Sequence, residues 1–395
     1  MTAGDLSTSA HGNRPHASAH RPLFIAAGTW AIVVIVLSQW GPVPDPVAPG
    51  LSWHAHEMLF GFAATGFAAY ALTAMASWAG PGWLSRRGLV WVMAAWVVSR
   101  LAALAGAGDG GWLFLGASAA FMTAVSVILI HAALRARQRR GAILALFACG
   151  LTLGQVALLW GLIPPRLPLL LFALLLSMVG GRIVAAFTWN RVGEGASGHA
   201  RARAARWLGL VSAAALAAIL LMGATAQGHE TLTPVLLLLA AGVEAGRLAL
   251  WHARAVRQDG LLMMLHLGYA WLPIGLALVA LVRLGLLPIS ETDAIHALAA
   301  GAVACAIYAM AARAVARRGE HLRPAVVDLV GFGLLWVAAV ARVLPLEGAI
   351  WQAAAPVLWV AGWGLFLWRH GAALRQPAPR PVFSGPKHPR RTSGR

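Results

Sequence analysis

The chain is 395 residues long, 59% hydrophobic and only 11% charged, with a mean hydropathy of +0.72. That balance exceeds what a water-soluble globular domain carries, and it identifies a polytopic, all-α integral membrane protein. The formal net charge of +18 points to no nucleic acid, because the basic residues fall in alternate connections, as the positive-inside rule requires.

The polar stretch 1–21, with His11, His16 and His20, reads as a disordered cytoplasmic leader. The apolar run that follows is long enough to span and lacks a small-residue cleavage signal. Crossing about 30 Å of hydrocarbon takes roughly 20 residues, and about twelve such stretches can be drawn. In chain order they are Pro22–Trp40, His54–Ala79, Gly88–Gly106, Gly111–Leu134, Gly141–Leu162, Leu167–Thr188, Arg206–Ala226, Thr233–His252, Leu261–Leu286, Ala294–Ala316, Ala325–Leu344 and Ala349–His370. They form a single transmembrane domain, 22–370. The tail 371–395, rich in Pro and Arg, is expected to be disordered and to graze anionic lipid.

Arg86 and Arg87, Arg135 to Arg140, Arg201 to Arg206, Arg254 and Arg257, Arg317 to Arg323, and the tail mark one side of the membrane. Both termini are therefore expected in the cytoplasm. Cys149 and Cys305 are the only cysteines. Both fall inside spans, so neither a disulfide framework nor a thiolate cage is implied. No phosphate-binding loop, Walker motif or nucleophilic triad appears, and the longest polar connection, Asn190 to Arg206, is too short to bury a core of its own. The catalytic residues, if the chain turns anything over, are unknown at this level.

Function must then reside in the ionisable groups at membrane depth, which persist only if they pair, line water or hold a cofactor. An outer layer contains His54, His56 and Glu57 at the start of the second span, with Arg100, Arg283, His296 and Arg342. His54 and His56 leave an ideal helix on nearly opposite faces, so one regular helix cannot chelate a metal with both. An inner layer contains Arg182, Asn190, His266, Arg313 and the pair Glu244 and Arg247, three apart and able to bridge on one face. Snorkelling to headgroups is the bland reading of Arg182 and Arg313, and a bond to a neighbouring helix that of His266. Neutral imidazoles on separate apolar helices, with guanidinium groups at the same depth, suit haem, whose propionates take arginine, or copper.

The run from Trp53 to Phe62, with Leu72, Thr73, Ala74 and Trp78, resembles the signature of the NnrS family of bacterial inner-membrane proteins. The resemblance continues through Gly180 to Ile183 with Phe187 and Thr188, then His266 to Gly275, then His296 to Leu298 with Gly301 and Arg313, and closes at Leu365 to His370. It implies a twelve-span protein carrying haem and copper and linked to nitric oxide metabolism, denitrification and resistance to nitrosative stress. Nitric oxide is then the implied ligand, while the respiratory or denitrification partner is unnamed. Carried over residue by residue, the resemblance makes His54, His56, His266 and His296 the ligand candidates. Glu57 would orient a neighbouring imidazole, and Arg182, Arg313 and Arg342 would steady propionates or the fold. Because His266 lies at the other end from the rest, either two sites or one site and one structural histidine follow. Replacing His54 or His56 by alanine is expected to lower bound metal.

The chain departs from the family pattern after the tenth span, where Arg318 stands in a histidine slot and His321 follows three residues on. It departs again at Ala76-Ser77-Trp78 and at Ala185-Ala186-Phe187-Thr188. It therefore reads as a divergent member. The rival reading is a secondary transporter, which twelve spans and buried charges also fit. Against it, the two halves show only a faint echo of one another, at Ile295 to Leu298. A third reading is a scaffold without cofactor that binds a respiratory partner.

Overall fold

A computed structural model describes residues 19–42, 51–80, 83–106, 111–192, 196–224, 231–318, 321–344, 349–375 and 382. Eleven helices among them are long and apolar enough to cross a membrane. They are α1 (His20–Trp40), α2 (Trp53–Met75), α3 (Arg86–Ala105), α4 (Trp112–Ala136), α5 (Arg139–Leu159), α6 (Arg166–Val192), α7 (Ala200–Gly223), α8 (Leu232–Ala249), α9 (Gly260–Arg283), α10 (Glu291–Val315) and α11 (Val326–Val343). The 22-residue α12 (Ala349–His370) closes the bundle. The chain is a multi-pass membrane protein, and its outward apolar side chains, such as Leu113, Leu146 and Leu221, meet lipid. Apart from helix, the described residues hold one two-residue antiparallel pairing of Arg317–Arg318 with His321–Leu322. The first departure from the family pattern, at Arg318 and His321, falls in this pairing.

The expected spans and the helices agree in order and number. The chief shifts are at α1, already helical at His20 inside the expected leader, and after α6. There the polar connection is reduced to a few residues because Asn190 and Arg191 prolong α6, and a helix restarts at Ala196. Residues 1–18 of the leader, and all of the tail beyond Arg375 except Val382, lie outside the described residues.

Burial sorts the helices. α2 and α10 are the interior members, with 78% and 72% of their central windows buried, whereas α3 has 22%. α9 packs along α8 on one side and α10 on the other, and α1 joins α2 and α12. α11 and α12 approach until a Cβ at Gly331 would lie 3.0 Å from the Gly362 carbonyl oxygen. Such small-residue contacts let backbones meet where lipid offers no hydrophobic drive to association.

Both interior helices begin alike. The Ser52 hydroxyl accepts the Ala55 amide and the Ser290 hydroxyl accepts the Asp293 amide, each satisfying an end that would otherwise expose bare N–H groups. Each then widens into a π-helical stretch, Glu57–Ala63 in α2 and Ala297–Ala304 in α10, and a third lies at Leu176–Gly180 in α6. π segments are rare and concentrate at functional sites. Two of the three here directly follow a histidine, His56 in α2 and His296 in α10.

Candidate functional site

The first turn of α2 sends its two histidines to different partners. His54 places Nδ1 3.2 Å from the Ser38 hydroxyl of α1 and lies within electrostatic range of His296 and Arg342. His296, at the corresponding position in α10, bonds the Thr292 carbonyl through Nδ1 at 2.7 Å. A carbonyl only accepts, so His296 carries its proton on Nδ1 and its Nε2 lone pair is open. No hydrogen bond to Nε2 of either ring occurs among the described residues, and both residues are half-buried. Arg342 of α11 is held beside them by Asp293 of α10, and Arg283 bonds Glu291 at 2.6 Å. Two imidazoles and a guanidinium, brought in by α2, α10 and α11, thus lie within electrostatic range at one end of the bundle.

His56 points inward and is fully occupied. Gln155 Nε2 donates to the Ser118 carbonyl at 3.0 Å and meets His56 Nε2 at 3.2 Å. His56 Nε2 therefore accepts, and Nδ1–H donates to Glu57 Oε1 at 2.7 Å. Glu57 Oε2 accepts the Trp30 indole N–H at 2.6 Å and also the Arg100 guanidinium. His56, Glu57, Arg100 and Gln155 are all buried. With both ring nitrogens engaged, His56 acts in this network as the neighbour that Glu57 holds. The network is possible because α2 offers Gly61 beneath it, where a Cβ would run into the Trp30 and Arg100 side chains.

The opposite end has its own buried groups. Glu244 and Arg247 pair at 2.8 Å, as their spacing predicts. Ser177 and Tyr269 donate to the same carboxylate at 2.5 and 2.6 Å, and Arg247 Nε reaches the Ala205 carbonyl at 3.2 Å. This closed, self-neutralising set ties α6, α7, α8 and α9 together. His266 meets Thr188 Oγ1 at 2.9 Å through Nε2. That hydroxyl already donates to the Val184 carbonyl, so His266 is the donor. Its buried Nδ1 is left without a hydrogen bond. Arg313 lies 4.0 Å above the adjacent Phe187 ring, while Arg182 is exposed.

The structure therefore separates the candidates. It brings together His54, His296 and Arg342, puts His56 and Glu57 in a second cluster, and leaves His266 and Arg313 at the far end with Arg182 on the surface. Among the described residues no group of three or more His, Cys, Asp or Glu is placed to hold a metal ion. Sequence reasoning passed over Trp30, Gln155 and the pair His370–Asp328, in which the imidazole lies 2.6 Å from the carboxylate and both residues are buried. The signal was present for Gln155 and Asp328, each a polar side chain alone in an apolar run.

No curated protein matches the chain. The family model described as NnrS protein matches residues 16–378, nearly the whole length. The chain belongs to the NnrS family.

Proposed function

We propose that this chain is a haem- and copper-binding protein of the bacterial inner membrane, with both termini in the cytoplasm, acting in nitric oxide metabolism or nitrosative-stress resistance. The observation that carries the reading is the placement of His54 within electrostatic range of His296, an imidazole from a different helix. On His296, Nδ1 is anchored on a backbone carbonyl and Nε2 is left for a metal. Anchoring the far nitrogen is how proteins orient metal-bound histidine and raise its basicity. On His54, the Ser38 hydroxyl holds Nδ1 at 3.2 Å and orients the ring.

These residues fit the groups the family implies. His54 and His296 would be the residues to hold haem iron or copper, and Arg342 beside them would be available to a haem carboxylate. When bound, such a metal supplies a coordination position for nitric oxide. His266, with Arg313 near, is the candidate ligand of a second site, through Nδ1. Asp293 fixes Arg342, and Ser290 fixes Asp293 through a 2.6 Å bond.

The test is the visible spectrum of detergent-purified protein, oxidised, reduced with dithionite, and exposed to nitric oxide, with metal analysis of the same sample. The reading predicts a Soret band that shifts at each step. A colourless protein from haem-sufficient cells, free of iron and copper, would refute it and favour the transporter.

A further inference from the structure

The three π-helical stretches border one cavity. Ala63 of α2, Leu176, Val179 and Gly180 of α6, and Val303 of α10 all line a cleft of about 720 Å³, part of it open to the surroundings. Its wall is almost wholly apolar, built from side chains such as Phe24, Phe67, Phe172, Ile183, Ile307 and Met310. A π turn carries an extra residue and breaks the regular packing of ridges into grooves, which accounts for the gap in an otherwise filled bundle.

At the arginine-rich end the cleft reaches Tyr70. Tyr70 lies within electrostatic range of Arg140, at the start of α5, and Arg182 of α6. Both arginines are exposed. The cleft thus has an apolar body with two exposed arginines near one end, Arg182 directly preceding the lining residue Ile183, the profile of an amphiphile with a hydrocarbon chain and an anionic head. Haem shares that profile, but the lining offers no imidazole. The neighbouring His266 turns to Thr188 and Trp251 instead.

We propose that this cleft binds the acyl chain of an anionic phospholipid, whose phosphate is held by Arg140 and Arg182. The surrounding bilayer supplies such molecules, and an arginine near the surface favours an anionic headgroup. The site is independent of the histidine pair and does not rest on the cofactor reading.

The experiment titrates the detergent-purified full chain with dioleoylphosphatidylglycerol or dioleoylphosphatidylcholine and follows the thermal midpoint. The glycerol lipid is expected to raise the midpoint saturably and to bind about thirtyfold more tightly than the choline lipid, from two arginine contacts. Arg140→Gln with Arg182→Gln should bring the two lipids to equal affinity, and Ala306→Phe, which fills the cleft, should abolish saturable binding of either. Should Ala306→Phe not fold, the double arginine variant, which alters only exposed groups, decides alone. Equal affinity of the wild type for both lipids would overturn the proposal. So would a preference for the glycerol lipid that survives the double arginine substitution, or a Soret band lost in folded Ala306→Phe but kept in His54→Ala.

Discussion

Arg100 of α3 reaches across to Glu57 of α2 and pairs with it inside the bundle, with both residues buried. Breaking a buried pair from one side leaves a naked charge, a loss of about 3–5 kcal/mol, whereas removing both charges costs far less. Glu57→Gln and Arg100→Leu should each lower the unfolding midpoint in detergent sharply. The double variant should recover most of that loss, and single variants as stable as wild type would show that the pair carries no load.

Gly61 lies beneath that network. Gly61→Ala puts a methyl group where the Trp30 and Arg100 side chains pass, so overpacking of about 1–3 kcal/mol is expected. Indole fluorescence offers a local check. A Trp30→Phe background should remove the part of any Gly61→Ala emission shift that arises at this indole, and an unchanged shift would place the disturbance elsewhere.

The Glu244 set is a structural clamp. Tyr269→Phe and Ser177→Ala each remove one donor to a buried carboxylate, at about 1–3 kcal/mol apiece. Haem and metal per protein should stay at the wild-type level in the folded fraction of both variants. A loss of cofactor without a loss of stability would instead make this cluster part of the site.

His266 tests for a second site. Its unbonded Nδ1 is buried, an arrangement that costs free energy unless something takes the lone pair. His266→Ala, combined with His54→Ala, should strip whatever iron or copper the single His54→Ala variant retains. Equal metal in the single and double variants would make His266 a packing residue bonded to Thr188.

Much of the architecture was legible because the apolar runs are long and the arginines punctuate them. Ser52 and Ser290 cap the interior helices, whereas spans drawn on apolar length start them at His54 and Ala294. The π segments were not legible, since Glu57–Ala63 and Ala297–Ala304 read as ordinary helix and only the glycines at 61 and 301 hint at close packing. The division of labour between His54 and His56 was half visible. Their spacing predicts divergent directions, but their partners, Ser38, His296 and Gln155, come from remote parts of the chain and leave no local trace. Asp328 was legible as the lone acid of α11, and His370 as the end of a motif, yet nothing local paired them.

The central claim is that His54 and His296 bind the metal while His56 supports the fold. Iron, copper and haem per purified protein, measured side by side in wild type, His54→Ala, His296→Ala and His56→Ala, test it most directly. The account predicts that His54→Ala and His296→Ala each lose the same cofactor. His56→Ala should keep that cofactor in its folded fraction while unfolding at a lower temperature. Cofactor content unchanged by either of the first two substitutions, or lost only with His56, would contradict it.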